Sequence, residues 1–185
     1  MRINVAPLSR TDFKSVLIIA NKLFGQAFLN SDELNDCIEN KSKSCLVALI
    51  NGEVAGFIII QTCGLKELKI LALNEQDWFK EQFANDLPIG VIKSIAVDNR
   101  FKKQGIGMAL TSKSIELFKE KTHSVISICW EQNGDAPFSR LLEKCGLKSI
   151  RKISKFWKED SLNKKYICRI CGEPPCNCNA YIYQS

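Results

Sequence analysis

The stretch "VIKSIAVDNRFKKQGIGMAL", residues 91–110, decides the fold of this chain because its character changes midway. An apolar run gives way to a charged turn, and two glycines then open a second apolar segment. This order predicts a strand over residues 89–97 and a helix over residues 105–121. Such a helix presents its unpaired N-terminal amides at the edge of a sheet, where proteins commonly bind anions.

The junction carries the residue types that phosphate binding needs. Gly105 and Gly107 have no Cβ, so a diphosphate can approach the backbone closely, while Lys102 and Lys103 add positive charge beside it. The pattern is neither a P-loop, which needs G-K-[ST], nor a dinucleotide fingerprint, which needs a third glycine. An ordinary glycine-stabilised turn is the alternative interpretation.

The longer stretch "SIAVDNRFKKQGIGMALTSKSIELF", residues 94–118, resembles motif A of the GNAT superfamily of acyl-CoA-dependent N-acetyltransferases. The family pattern is V-x-x-x-x-[RQ]-x-x-G-x-[GA], and Val97, Gly105 and Gly107 fall in register with it. Lys102 stands where the family has Arg or Gln, which keeps the charge and loses the planar donor geometry. The order of predicted strands and helices extends the resemblance from residue 2 to about residue 157.

The resemblance implies an α/β (α+β) fold with a GNAT-like mixed and mostly antiparallel sheet flanked by helices. The cysteine-rich C-terminus, which is unusual for the family, predicts an added small metal-stapled hairpin that extends the main sheet or covers the acceptor groove. We predict a GNAT-like domain over residues 1–160 and a four-cysteine tail over residues 161–185. Apart from the strand and helix of the opening stretch, the pattern predicts strands at 2–6, 68–73, 125–130 and 147–157, a hairpin over 45–60 that turns at Asn51-Gly52, and helices at 12–24, from 31, around 77–85 and at 136–145.

The resemblance also implies where acetyl-CoA binds. The backbone at the end of the strand pairs with the pantetheine arm, and the amide of Val97 polarises the acetyl carbonyl. Main-chain amides of the turn bind the pyrophosphate, with the two lysines beside them. The cofactor-binding residues predicted in this way are Ile95, Ala96, Val97, Lys102, Lys103, Gln104, Gly105, Ile106, Gly107 and Met108.

A second family element is more altered. The stretch "NGDAPFSRLLEKCGL", residues 133–147, resembles the pattern N-x-x-[AS]-x-x-[LF]-Y-x-x-x-G-[FL], but Leu142 stands at the tyrosine position. In many relatives that tyrosine protonates the departing thiolate. Ser139, about one turn earlier, is the candidate donor and anchor for the arm, and a plain serine on a helix surface is the alternative.

The acceptor amine must be neutral when it attacks the thioester. A lysine amine costs about 4.6 kcal/mol to deprotonate at pH 7, whereas an α-amine costs only about 1.4 kcal/mol. A general base therefore matters much more for a lysine acceptor. Glu131, just past the strand that ends at Trp130, is the candidate base; Asp135 follows it and also fits as a helix N-cap.

Nine cysteines are many for this length, and four of them lie within eleven residues. Cys168, Cys171, Cys176 and Cys178 form C-x2-C-x4-C-x-C, a donor set that suits tetrahedral zinc in a structural site. A reactive or disulfide-forming cluster is the alternative. The other five are scattered singly in apolar segments and are predicted to be small buried hydrophobes, namely Cys37, Cys45, Cys63, Cys129 and Cys145.

Charge is also concentrated near the C-terminus. Of the formal net charge of +6, +5 lies from Lys148 onward. These cations predict a polyanionic partner such as tRNA, or they offset the charge of four metal-bound thiolates.

Apolar runs such as "FIII" are far shorter than the roughly 18 residues of a membrane span. The N-terminal stretch also has no cleavage site, so we expect no membrane partner and a cytoplasmic protein.

These features together predict an N-acetyltransferase that moves an acetyl group from acetyl-CoA to an amine by direct attack. Two alternatives stay open at this point. One is a toxin-like relative that acetylates the α-amine of aminoacyl-tRNA, which the basic tail favours. The other is a non-catalytic binding module that retains the fold, which the missing tyrosine favours.

Overall fold

The computed structural model describes residues 2–25, 28–131, 134 and 136–185. Within them the strands are β1 (Asn4–Pro7), β2 (Lys43–Ile50), β3 (Glu53–Cys63), β4 (Ile89–Val97), β5 (Val125–Trp130), β6 (Lys148–Ile153) and β7 (Ala180–Gln184). The α-helices are α1 (Phe13–Phe24), α2 (Ser31–Glu39), α3 (Leu65–Leu71), α4 (Gln76–Phe83), α5 (Ile106–Phe118), α6 (Ser139–Lys144) and α7 (Lys158–Lys164).

The seven strands form one mixed sheet in the order β1-β2-β3-β4-β5-β7-β6. The pairs β1/β2, β2/β3, β5/β7 and β6/β7 are antiparallel. The predicted fold class, a mostly antiparallel sheet flanked by helices, is therefore confirmed. In the described part of the chain, no helix is long and apolar enough to cross a membrane.

The chain divides into two compact units. The first comprises Met1–Gln61 with Ile92–Glu120. Its core packs Val16 and Ile19 of α1 and Leu34 of α2 against Val47 of β2 and Phe57 of β3. These residues are at most 3% exposed, so burial of their apolar surface is the main force that holds the helices on the strands.

The hairpin of the first unit turns where it was predicted to turn. Asn51 and Gly52 have φ angles of 51° and 81°, as a two-residue turn between antiparallel strands requires, and Ile50 pairs with Glu53. Residues 54–61 of β3 are all buried, so both faces of this strand are covered. A strand covered on both faces has a continuous apolar run, which is why β3 lacks the alternation of a half-exposed strand.

The second unit comprises Thr62–Val91 with Lys121–Ser185. Its core is rich in aromatic side chains: the ring centroids of Phe79 and Phe83 lie 5.6 Å apart, and those of Phe79 and Phe156 lie 6.5 Å apart. Ile89 and Ile182 are fully buried in the same cluster. The unit is thus built around α4 and the inner faces of its strands.

The strand predicted near residues 68–73 is wrong, because Leu65–Leu71 forms the helix α3 and a 3₁₀ turn begins at Leu73. Leu68 and Ala72, four residues apart, are buried on one face, whereas Lys69 and Ile70 between them are exposed. Gly64 caps the helix, and its N–H donates to Glu67 Oε2 at 3.1 Å. The run "LKELKIL" is too short for its helical period to be separated from a strand pattern by inspection.

Three other predicted elements are shorter than expected. The helix of the opening stretch ends at Phe118, and the strand from residue 147 ends at Ile153, where a turn with positive φ at Lys155 leads into α7. The helix predicted from residue 136 begins at Ser139, whose N–H donates to Ala136 O at 2.8 Å in a preceding turn. The N-cap predicted for Asp135 lies outside the described residues.

The last strand comes from the cysteine tail and lies inside the sheet. Ala180 of β7 pairs with Trp130 of β5 on one side and with Ile153 of β6 on the other. The C-terminal segment therefore extends the main sheet. The domain boundary at residue 160 stays a prediction.

Candidate functional site

The turn between β4 and α5 has the geometry of an open helix N-terminus. Gly105 precedes the helix with φ of 83°, a left-handed conformation that favours glycine. The N–H of Ala109 donates to Gly105 O at 2.9 Å, which closes the first turn of the helix. The amides of Gly105, Ile106 and Gly107 precede that bond, so the helix does not pair them internally.

The side chains around this turn expose two positive charges to solvent. Residues 102–105 are exposed, and Lys103 also has a positive φ, of 60°. Ile106 is 1% exposed and anchors the start of α5 in the core. The structure thus brings Lys102, Lys103 and the two glycines to one helix end, where the helix dipole adds positive potential.

A network that the sequence analysis missed holds the start of this turn. The Asp98 carboxylate accepts hydrogen bonds from the Arg100 side chain, at 2.9 Å from Nη2, and from the Arg100 N–H at 3.0 Å. Arg100 Nη2 also lies 2.6 Å from Glu53 Oε1. The side-chain bond from Arg100 and then its backbone bond lower the pKa of Asp98. The signal for this network is the spacing D-x-R after a strand, since an Asp there commonly caps the following turn.

The end of β4 lies unusually close to β3. A Cβ placed on Gly56 would lie 2.6 Å from Ala96 O and 3.2 Å from Val97 Cα. In addition, the Asp98 N–H donates to Ala55 O at 2.9 Å. Only a glycine permits this approach. Gly56 therefore sets the position of the end of β4, where the amide of Val97 is predicted to polarise the acetyl carbonyl. An isolated glycine inside an apolar strand is the available signal for such a contact.

Glu131 lies at the end of β5 and is 9% exposed. Its Oε1 accepts from Lys152 Nζ at 2.9 Å and from the Tyr181 hydroxyl at 3.4 Å, and its Oε2 accepts from the Asn179 amide. The hydrogen bond from Asn179 and then that from Lys152 lower the pKa of Glu131. A carboxylate with a lowered pKa is a weaker base, so these contacts favour a fixed, ionised Glu131. Its role as the general base stays a prediction.

Ser139 lies near a tyrosine that the sequence analysis did not consider. The hydroxyl of Tyr183 donates to Glu143 Oε1 at 3.0 Å, and Ser139 lies close enough to lower the pKa of Tyr183. Burial raises the pKa of Tyr183, which is 3% exposed. Leu142, at the position of the family tyrosine, is fully buried in the core. Sequence alone cannot link Ser139 with Tyr183, because only the insertion of β7 beside β5 brings them together.

The four cysteines of the tail converge on one point. Their Sγ atoms all lie within 4.8 Å of one another, with Sγ–Sγ distances of 3.7 Å from Cys168 to Cys178 and 3.4 Å from Cys171 to Cys178. Tetrahedral zinc with Zn–S bonds of about 2.3 Å needs sulfur atoms about 3.8 Å apart. The donor set and its spacing therefore fit a four-thiolate metal ion.

Local backbone structure holds this cysteine cluster. Cys168 and Gly172 pair through two backbone hydrogen bonds, at 2.9 Å and 2.8 Å, which close a tight loop around the first two sulfurs. The N–H of Cys176 donates to the buried Ser161 Oγ at 2.8 Å, which ties the second pair to α7. Trp130 and Trp157 pack against the cluster.

Several N–H groups point at the sulfur atoms. The N–H of Cys171 lies 3.5 Å from Cys168 Sγ, and the N–H of Asn177 lies 3.3 Å from Cys171 Sγ. Burial opposes ionisation of Cys168, but the hydrogen bonds from Cys171 and Ile170 outweigh it and lower the pKa of this thiol. Burial raises the pKa of Cys176 to about 11. A metal dication would oppose that effect, because thiolates bind metal in the deprotonated form.

Four of the five scattered cysteines are buried as predicted, whereas Cys145 is only half-buried. Burial raises the pKa of Cys129 to about 12 and raises that of Cys45 still further. These thiols are therefore core residues rather than reactive groups.

Comparisons with known proteins agree with this geometry. The model of the acetyltransferase (GNAT) family matches residues 15–147, which include the whole β4 turn. No curated protein matches the chain significantly. Among solved structures, Arabidopsis thaliana NAA60 in complex with a bisubstrate analogue is similar with a TM-score of 0.71 and 15% identity, covering 100% of this chain and 97% of that one.

Two further structures share the fold. The ribosomal-protein-S18-alanine N-acetyltransferase from Escherichia coli has a TM-score of 0.63 and 19% identity, covering 99% of this chain and 92% of that one. Ard1 from Thermoplasma volcanium has a TM-score of 0.64 and 20% identity, covering 100% and 97%. At these identities the likeness establishes the fold alone. Since the family model spans well over half of the sequence, this chain belongs to the acetyltransferase (GNAT) family.

Proposed function

We propose that this protein is an N-acetyltransferase that moves the acetyl group of acetyl-CoA to an amine by direct attack. The observation that carries this proposal is the exposed helix end at Gly105, which Asp98, Arg100 and Glu53 hold in place beside two lysines. A preformed anion site on a GNAT fold suits the pyrophosphate of a CoA thioester. The structure of NAA60 in complex with acetyl-CoA, a similar fold, supports the same cofactor.

Each part of the turn has a proposed role. The amides of residues 104–108 bind the pyrophosphate, with Lys102 and Lys103 beside it. The backbone of residues 95–97 pairs with the pantetheine arm, and the amide of Val97 donates to the carbonyl oxygen as negative charge develops there. The amine nitrogen forms a bond with the acetyl carbon, the carbon–sulfur bond breaks, the CoA thiolate leaves and the amine gives up a proton.

The acceptor that best suits this chain is an α-amino group. Glu131 is held as an ionised, hydrogen-bonded carboxylate, so the base available to the amine is weak. An α-amine needs about 3 kcal/mol less than a lysine amine to become neutral at pH 7. The similar Escherichia coli enzyme acts on an alanine of ribosomal protein S18, and we extend the α-amine class, not that substrate, to this chain.

Glu131 and Ser139 are the proposed proton-handling groups. Glu131 would accept the amine proton, directly or through water, and Ser139 would donate a hydrogen bond to the departing thiolate. A thiol with a pKa of about 8.5 leaves readily as a thiolate near neutral pH. The hydrogen bond from Ser139 therefore increases the rate of acetyl transfer only slightly. Substitution of Ser139 by Ala therefore has a smaller proposed effect than substitution of Glu131 by Gln.

We further propose that the four cysteines hold a structural zinc ion. Four protein ligands leave no open position for catalysis, and three of the four thiols are buried. A reducing compartment such as the cytoplasm would keep them available for metal.

The cations beyond Lys148 suit a polyanionic acceptor such as charged tRNA, which also offers an α-amine.

The proposed function is tested by calorimetric titration of the zinc-loaded protein with acetyl-CoA and with free CoA. Gly107→Trp places a large side chain at the helix end and should abolish binding of both ligands. Ser112→Trp, at an exposed position farther along α5, is the matched control and should bind as the wild type does. Failure of the folded wild type to bind either ligand would refute the transferase proposal.

A further inference from the structure

The residue that follows the last cysteine contacts both strands that flank β7. The carbonyl of Asn179 accepts from the Glu131 N–H at 3.0 Å, and its side-chain oxygen accepts from the Lys155 N–H at 3.1 Å. Its side-chain amide also donates to Glu131 Oε2. Asn179 therefore ties the end of β5 and the end of β6 to the start of β7.

The cysteine cluster reaches the same strand end by a second path. The Trp130 side chain, next to Glu131, packs against the cluster of Cys168, Cys176 and Cys178. Trp130 also pairs with Ala180, the residue after Asn179. Cys178 and Glu131 are thus connected both through Asn179 and through Trp130.

The two oxygens of Glu131 are contacted differently. Lys152 and Tyr181 contact Oε1, and Lys152 also lies over the Tyr181 ring at 4.9 Å from its centroid. Both residues lie in the β6–β7 ladder, and neither is directly joined in sequence to a cysteine of the cluster. The contact from Asn179 is made to Oε2, by a residue covalently joined to Cys178. It is therefore the contact most directly affected when Cys178 moves.

We propose that Asn179 is a positioning residue through which the metal centre fixes the carboxylate of Glu131. This inference rests on the proposed zinc site. An ion that draws four sulfurs together fixes the backbone of Cys178, and the next residue is then held against Glu131. Without the ion, thiol contacts and a few N–H···S bonds restrain that backbone more weakly.

The test follows the carbon-13 resonance of the Glu131 carboxyl group and the exchange rate of its amide hydrogen while the metal is changed. Zinc is replaced by cadmium, whose longer thiolate bonds displace the ligands without emptying the site, so the fold is kept. Zinc is also removed with a chelator. The proteins compared are the wild type, Asn179→Ala and Asn177→Ala. Asn177 is the matched control, because its exposed side chain lies in the same loop and contacts Pro175 O instead of Glu131.

We expect the metal exchange to shift the Glu131 resonance in the wild type and in Asn177→Ala, and to shift it clearly less in Asn179→Ala, which loses the side-chain contact to the carboxylate but keeps the backbone bond to the Glu131 N–H. Chelation should accelerate exchange of the Glu131 amide by about tenfold or more in the wild type. An equal shift in Asn179→Ala, or no shift in the wild type, would overturn the coupling while the zinc proposal stands. Binding of no metal by the wild type would instead refute the zinc site itself, and metal analysis reveals this before any variant is made.

Discussion

At the scale of single residues, Asp98 connects the end of β4 to the glycine turn proposed to bind acetyl-CoA. Its carboxylate is 7% exposed and is bonded to Arg100, while its N–H continues the pairing to Ala55. Arg100 is more than half exposed, so its bridge to Glu53 is partly screened by solvent. The contribution of this network is therefore mainly geometric, since it fixes the conformation of the turn that we propose binds an anion.

Replacement of Asp98 by Asn tests this role. The neutral side chain binds Arg100 more weakly, and we expect the affinity for acetyl-CoA to fall by roughly threefold to tenfold. Because the folded-state pKa of Asp98 lies below its ordinary value of 3.8, the stability it adds is present above pH 4 or so and is lost as the pH falls through the folded pKa. The difference in unfolding free energy between wild type and variant should then shrink from pH 7 to pH 3. A difference that grows in acid would contradict the assignment.

At the scale of elements, the approach of β4 to β3 depends on one glycine. Gly56→Ala would place a methyl group against Ala96 O, so the strands must separate. Overpacking of this kind lowers the free energy of unfolding by about 1–3 kcal/mol, and unfolding in denaturant measures this change. The displaced strand end should also weaken acetyl-CoA binding.

Gly64→Ala is the matched control for that substitution. Its Cβ would meet only the end of the Glu67 side chain, at 3.3 Å, and the backbone φ of −86° suits any residue. We expect Gly64→Ala to lower the free energy of unfolding by less than about 1 kcal/mol. Equal costs for the two variants would mean that the β3–β4 contact is not tight.

The same elements explain which parts of the structure can be predicted from sequence. β4 and β5 were predicted with their observed bounds, because each is a mostly apolar, β-branched segment bounded by turn residues. The glycine turn was predicted for the same reason, since its signal is local. The position of β7 between β5 and β6 and the contacts of Glu131 with Asn179 depend on pairing between segments about 50 residues apart. No local pattern specifies such pairing, so the true surroundings of the predicted base were not predictable.

At the scale of the whole molecule, the two proposed ligands belong to different compact units. The turn around Gly105 lies in the first unit, and the cysteine cluster lies in the second. The second unit has its own aromatic core around Phe79 and Phe83, but its β7 strand begins two residues after the last cysteine. Metal binding and the placement of β7 are therefore coupled within that unit.

Removal of the metal should consequently destabilise the second unit more than the first. After chelation, we expect amide exchange to accelerate by more than about tenfold in β5, β6 and β7 and to change little in β1 and β2. Cys171→Ser, which removes one ligand, should reproduce this pattern, whereas Cys145→Ser, at a half-buried cysteine outside the cluster, should not. Hydrogen exchange with mass spectrometry resolves these segments. Uniform acceleration across all strands would mean that the ion stabilises the chain as a whole, because loss of a site local to β7 cannot loosen β1 and β2 equally.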